Sequence, residues 1–474
     1  MSTRRKIFYN TLAQSIGKVI AVALGLFSVA LLTRYLGEAG FGQYSTVLAF
    51  LGVVAVLADL GLYLIVVREI SKANADNSKI ISNAIGLRLT TAAGILALGA
   101  AAALLLPYDA LVKQTMFIGI GAYLFVSLNQ VLVGVFQKHL VQYLVVVSEM
   151  LGRALNLLLI WLFIQNQLTL PFFVLALVFG NGVNFSLTYL FARRYENFSI
   201  EFDFRIWKKM LVSSWPLAFA VILNLLYFKT DTIILSIFHS QETVGVYSLP
   251  YKILEVLLAF PAMFAGLIMP LLSKSAKSNW AEFKTILQHS FDALVLVAVP
   301  MIITALFFAQ DIVRAIKGPG QDYADSPLLL QILIFAAAII FFGTLFGYAV
   351  VAVDKQKAMV RGYLTAAVAG LFLYFLLIPS FSYWGAAAGT IVTELIVVLF
   401  ACRFVYKASN FTVSLKILAK SLPAMAALIL IFRFVSLNWV LEALIGLVLY
   451  ALLLIAFKAV PLSFVKELAR RTDL

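Results

Sequence analysis

Lys18, Arg34, Arg153, Lys229 and Lys252 are cations set within or at the ends of long apolar runs, and Asp59, Asp231 and Glu255 are carboxylates in the same setting. A charge at a bilayer centre costs at least about 2.5–3.5 kcal/mol, so each one needs a reason. Fixed cations in a low-dielectric cavity suit an anionic headgroup such as a phosphate or pyrophosphate. The three carboxylates offer a second chemistry, a titrating site for a proton or another coupling cation. The competing explanation is structural. Polar side chains join helices, and long basic ones reach from helix ends to the interface.

Spacing sorts these readings only in part. Asn10, Gln14 and Lys18 recur every four residues and form one polar stripe on a helix. Glu149, Arg153 and Asn156 share a face, with Glu149 and Arg153 placed to pair. Asp59 with Tyr63, Asn224 with Lys229 and Asp231, and Tyr251 with Lys252 and Glu255 make three further groups. Asn181, Asn184, Thr390 and Glu394 add polar groups to two more runs. Lys18 and Asp59 lie deep in their runs and favour a cavity. Arg34, Arg88 and Glu149 lie near run ends and favour glue or anchoring. Lys229 and Lys252 fit either.

The elements that must position these residues are membrane spans. The chain is 63% hydrophobic and 12% charged, against roughly 45–50% and 25% in soluble domains. Its apolar stretches are continuous rather than alternating and reach the ~20 residues that a crossing helix needs, which excludes a β-barrel. The fold class is an all-α integral membrane protein. Breaking the chain at charged, Pro- or Gly-rich turns predicts fourteen spans, near 8–33, 42–67, 80–106, 115–136, 141–164, 170–192, 211–238, 246–271, 285–308, 327–351, 359–379, 384–406, 416–435 and 437–457. Twenty-seven of the 36 Lys and Arg fall on one side of this threading and five on the other. That bias puts the richer side in the cytoplasm of a cell (plasma or inner) membrane, and the even span count puts both termini there too. The "RRK" at 4–6 opens an apolar segment too long for a signal peptide, so the first span is expected to be retained.

The net charge of +14 is spread among loops, so it reflects topology and headgroup attraction rather than nucleic acid. A single Cys402 excludes an intrachain disulfide framework, and three scattered His (His139, His239, His289) argue against a metal site. No GxGxxG or P-loop appears, so no nucleotide or other cofactor is expected. The longest outer loop, 309–326, holds Asp311, Arg314, Lys317, Asp322 and Asp325 but no His. No catalytic residue is assigned, and the chain is not read as an enzyme.

Three motifs recur in order. "GQYS" at 42–45 returns as "GVYS" at 245–248, "ISK" at 70–72 as "LSK" at 272–274, and "LFARR" at 190–194 as "LFACR" at 399–403. Six spans per copy is an even number, so the copies share one orientation, a parallel repeat about an axis along the membrane normal. The expected domains are two six-helix lobes around a central cavity, 1–195 and 196–410, the second led by a cytoplasmic linker. Spans 13 and 14 and a basic tail follow in 411–474. Such lobes can rock to give alternating access. The glycines of "RYLGEAGFGQYS" at 34–45 are read as permitting a tight reversal. Gly17 with Gly25, and Gly385 with Gly389, are read as close helix packing.

"TRYLGEAGFGQYS", "ADLGLYLIVVREISK", "FKTDTIILSIFHSQETVGVYSLPYKILE" and "YWGAAAGTIVTE" resemble the Wzx-type oligosaccharide flippases, the polysaccharide-transport branch of the MOP exporter superfamily. The resemblance covers essentially the whole chain. It implies translocation of a polyprenyl-(pyro)phosphate-linked oligosaccharide from the cytoplasmic to the outer leaflet for cell-surface polysaccharide synthesis. It also implies a cavity lined by spans 1, 2, 7 and 8, which carry Lys18, Asp59, Lys229, Asp231, Lys252 and Glu255. The partners it implies are the polyprenyl-linked glycan, membrane lipids, and glycan polymerase and export machinery. Two alternatives share the architecture, a lipid II-type flippase and a cation-coupled drug antiporter. The antiporter predicts a net negative cavity, whereas these residues are net positive.

Overall fold

A computed structural model describes residues 3–59, 62–70, 76–435, 437–457 and 459, with the side chains of 3–12, 15, 59, 64, 215–221 and 224–228 outside the described set. Among the described residues every regular element is an α-helix and none is a strand. Lipid offers a backbone no hydrogen-bond partners, and a helix satisfies its own. The helices are α1 (Thr3–Asp59), α2 (Leu62–Ile70), α3 (Asn77–Ala103), α4 (Ala110–His139), α5 (Tyr143–Gln165), α6 (Leu170–Ala192) and α7 (Phe204–Phe238). They continue as α8 (Gln241–Leu257), α9 (Ala259–Ser278), α10 (Trp280–Lys317), α11 (Ser326–Ala352), α12 (Gln356–Ser409), α13 (Lys416–Phe434) and α14 (Trp439–Ala456).

The fourteen helices among the described residues do not correspond one to one with the fourteen predicted spans. Among the described residues eleven helical stretches are long and apolar enough to cross a membrane. Within α1 that stretch is Ile16–Ala58, 43 residues. At ~1.5 Å per residue it measures ~65 Å, twice a ~30 Å hydrocarbon core, so it holds two passes. They meet at Gly37, whose φ of 66° and ψ of −171° break the helix. The same happens in α12 at Ser382 (φ 53°), three residues after Pro379. Predicted span 2 is divided between α1 and α2, and span 8 between α8 and α9.

Gly37 corrects the expectation that all the glycines of 34–45 serve a reversal. It alone takes a positive φ there. Gly40 and Gly42 are helical, and Gly42 does different work, described below.

The chain divides into two compact units. The first comprises 1–249, 316–323 and 367–389. Within it α4 packs on α6, α6 on α5, and α5 on α1. The α5–α6 crossing rests on reciprocal glycines. A β-carbon on Gly152 would lie 2.5 Å from the Gly180 carbonyl oxygen, and one on Gly180 would lie 2.8 Å from that of Gly152. Such small residues let backbones approach where lipid supplies no hydrophobic drive. An apolar core runs from Val66 and Ile85 through Leu132 and Phe136 to Trp207.

Residues 193–203, expected as a linker, are strapped to α3. Asn83 donates to the Glu201 carboxylate (3.0 Å) and accepts from the Asp203 amide (2.8 Å). The Ser199 amide donates to the Ser82 hydroxyl (3.0 Å), and Gly86 clears room for the Glu201 carbonyl.

The second unit comprises 250–315, 324–366 and 390–474. In it α9 packs on α11, and α13 pairs with α14 where Gly446 faces Phe432 and Leu428. Gln288 on α10 holds the α12–α13 connection by donating to the Ser414 carbonyl (2.8 Å) and accepting from its amide (2.9 Å).

Candidate functional site

Lys18 and Arg153 are brought together by a residue that the sequence reading left among possible glue, Glu149. Glu149 and Arg153 stand one helical turn apart on α5, and the Arg153 guanidinium reaches the Glu149 carboxylate at 2.9 Å. From α1, the Lys18 ammonium reaches the same carboxylate at 3.1 Å. Arg153 also donates to the Ala21 carbonyl (3.3 Å). The guanidinium occupies the space where a Gly25 β-carbon would sit, 2.8 Å from Nη1. Gly25 therefore makes room for a charge, whereas Gly17 does pack helices, against Val146. Two cations share one carboxylate, so the α1–α5 cluster keeps one net positive charge inside an apolar helical frame. The signal for Glu149 was its four-residue spacing from Arg153.

Lys229 and Asp231 stand near the end of α7. Asp231 is fully buried, and its carboxylate accepts from the Tyr247 phenol (2.6 Å) and the Thr232 amide (2.6 Å). Tyr247, also fully buried, belongs to the "GVYS" repeat, a signal that sequence reasoning quoted without assigning the tyrosine a role. In the second unit, Lys252 and Glu255 pair with each other along α8 at 2.8 Å. The side chains of Asp59, Asn10 and Asn224 lie outside the described residues.

Arg34 stands apart from Lys18, sixteen residues further along α1, or about 24 Å of helix. Its Nε donates to the Ile316 carbonyl (3.1 Å), while Gln321 donates to the Arg34 carbonyl (3.1 Å). Glu38 accepts from the Tyr323 amide. This gives Arg34 a role absent from the sequence reading, holding residues 316–323 against the α1 break. Burial, reinforced by the Glu38 charge, pushes the Tyr323 phenol above its ordinary range.

Arg88, expected near a helix end, is wholly buried instead. It donates to the carbonyls of Ala58 (2.7 Å) and Ser127 (3.0 Å) and to Gln130 (2.7 Å). It is glue, and it leaves the basic face's tally without altering the bias.

The two motif copies meet beside the α1 break. A β-carbon on Gly42 would lie 1.8 Å from the Gln241 carbonyl oxygen, and one on Gly245 would lie 2.1 Å from that of Glu38. Glu38 and Gln241 are equivalent under the repeat's 203-residue offset, as are Gly42 and Gly245. The contact is thus reciprocal, each glycine seating the other copy's backbone. Thr46 adds a hydrogen bond to Gln241 (2.9 Å), and His239 bonds to the Ile378 carbonyl (2.8 Å).

Residues 4–276, more than half of the chain, match the family described as polysaccharide biosynthesis protein. The chain belongs to that family. It is a Wzx-type member of the MOP superfamily, and residues 216–376 also match the MatE family. A Staphylococcus aureus capsular polysaccharide biosynthesis protein, CapF, is 24% identical over 301 residues, 60% of this chain and 72% of CapF. A Shigella flexneri protein described as an O-antigen transporter is 23% identical over 403 residues, 80% of this chain and 93% of the relative. The solved structure of the lipid II flippase MurJ in an inward closed conformation superposes with a TM-score of 0.77 at 14% identity, covering 93% of this chain and 98% of MurJ. At that identity the likeness is one of fold.

Proposed function

We propose that this polysaccharide biosynthesis family member is a flippase that carries a polyprenyl-(pyro)phosphate-linked oligosaccharide from the cytoplasmic to the outer leaflet, and that it is a transporter, not an enzyme. The observation that carries this reading is the Lys18–Glu149–Arg153 cluster, a net cation held within the span of a membrane helix. A carrier of lipid phosphates needs such a charge, because the anion must leave headgroup water and find a partner inside. The names of CapF and the O-antigen transporter support a glycan as cargo.

In this reading the halves 1–195 and 196–410 alternate about a central cavity, with 411–474 added at the end. Lys18, Arg34, Arg153, Lys229 and Lys252 serve the anion's path, and Asp59, Asp231 and Glu255 serve ion coupling. The Lys- and Arg-rich face and both termini are cytoplasmic, in the cell membrane. Glycan polymerase and export machinery take up the product.

Reconstitution in liposomes with a fluorescent polyprenyl-pyrophosphate oligosaccharide tests the reading. Leaflet exchange well above protein-free vesicles is expected, and exchange no faster than in those vesicles would defeat it. The MatE match favours a second reading, a cation-coupled drug antiporter. Uptake of a cationic dye driven by an ion gradient, without lipid exchange, would select that reading instead.

A further inference from the structure

The start of α12, its last three turns, the α12–α13 connection and Phe346 of α11 line a groove of about 900 Å³ in the second unit. Three cations line it, Arg361, Arg403 and Lys407, and no carboxylate does. Arg403 and Lys407 stand one helical turn apart, and Arg361 joins them from the other end of the same broken helix. Among the described residues none of the three has an ion pair or a side-chain hydrogen bond, whereas Lys18, Lys138, Arg153 and Lys252 each hold a carboxylate. Concentrating three unneutralised cations in one groove raises the local potential and leaves their donors open.

Five of the other nine lining residues are aromatic, and Leu399, Cys402, Thr412 and Val413 complete the wall. Phe346 and Phe411 are buried, and Phe400 and Phe404 are half-buried. Leu399 is 66% exposed and Tyr406 half-exposed, so the groove carries apolar surface on its outer flank. By length and apolarity α12 crosses the membrane, and the groove lies at the end of its passes that carries the Lys and Arg excess. An occupant must therefore pair a negative head with an apolar body. Basic pockets between membrane helices on the cytoplasmic side hold such headgroups.

We infer that this groove binds an anionic glycerophospholipid of the surrounding leaflet, with its phosphate on Arg361, Arg403 and Lys407 and its chains on the aromatic wall. The site lies in the second unit, and none of its lining residues belongs to the α1–α5 cluster on which the flippase reading rests. A resident lipid there would tie α12 to the bilayer and to the connection that starts α13.

Native mass spectrometry of the purified full-length protein tests the assignment, with cardiolipin, phosphatidylglycerol and phosphatidylcholine added in turn. Wild type is expected to retain the two anionic lipids and to lose phosphatidylcholine. Replacing the three cations together (R361Q, R403Q, K407Q) is expected to reduce anionic retention at least about tenfold. The charge-keeping R361K and R403K variants should hold it. The control removes three other cations of the same membrane face (K274Q, K277Q, K284Q), an equal charge change away from the groove.

Equal loss in the control would overturn the inference in favour of general surface attraction, as would equal retention of phosphatidylcholine. Displacement of cardiolipin by undecaprenyl phosphate at equal concentration would overturn it too, assigning the groove to the transported lipid. Each readout is independent of lipid exchange, so failure of the flippase reading leaves this test intact.

Discussion

Gly42 and Gly245 occupy equivalent places in two copies of one motif, and each presses against the backbone of the other's copy. The reciprocal contact explains why the turn and its copy share a glycine where no turn requires one. A β-carbon on either would meet backbone oxygen, which cannot swing aside as a side chain would.

Gly42→Ala and Gly245→Ala should each destabilise the protein by about 1–3 kcal/mol, the usual cost of overpacking a close contact. The Gly42 β-carbon position lies 2.9 Å from the Gly245 amide nitrogen, so one separation relieves both clashes. The double variant should therefore cost less than the sum of the singles. Thermal denaturation in detergent measures all three, and simple additivity would refute the reciprocal contact.

Lys18→Gln should slow leaflet exchange about tenfold, equivalent to ~1.4 kcal/mol, while leaving the melting temperature nearly unchanged. Lys18 and Arg153 are 39% and 41% exposed, so solvent screens their pairing and little stability rests on it. Glu149→Gln should behave differently. It leaves both cations without their shared carboxylate and should lower stability by ~1 kcal/mol. Parallel melting and exchange measurements separate the two variants, and equal melting losses would contradict the assignment.

Tyr247→Phe removes the phenol donor from the buried Asp231 carboxylate and should cost about 1–3 kcal/mol. In the Asp231→Asn background the same change should cost less, because the acceptor is no longer an anion. A coupling energy near zero in this cycle would show that the 2.6 Å contact contributes nothing.

Glu196 gives a pH prediction outside the spans. Partial burial raises its carboxyl, but hydrogen bonds and charges from His139 and Lys138 outweigh that and hold it below the ordinary value. A depressed carboxylate stabilises the fold above its free-chain value, near 4.3, and that contribution fades as pH falls through the lowered folded value. Hydrogen-exchange protection across 193–203, taken relative to the intrinsic amide rate at each pH, should therefore fall below about pH 4. Glu196→Gln should exchange quickly at neutral pH and show a flatter pH profile.

Arg34→Ala should loosen 316–323, seen as faster hydrogen exchange there, because it removes the donor to the Ile316 carbonyl. Arg34→Lys keeps a charge but not the guanidinium fork. If Arg34 also meets substrate phosphates, the Lys variant should slow lipid exchange. If it only anchors, exchange should persist.

Much of the fold was legible in the residues. Runs of ~20 apolar residues admit one structure in lipid, because only a helix satisfies its own backbone there, so the helical membrane class followed from composition and length. The Glu149–Arg153 pair followed from helical spacing. What the sequence could not carry was partnership across the chain. Nothing near Lys18 announces Glu149, which lies 131 positions away, and nothing near Gly42 announces the Gln241 carbonyl. Arg88 looked like a residue near a helix end, yet tertiary packing buries it among carbonyls. Periodicity assigns a residue to a face of its own helix. Which helix meets that face, and how closely, depends on packing over the whole chain, and only the tertiary structure decided it.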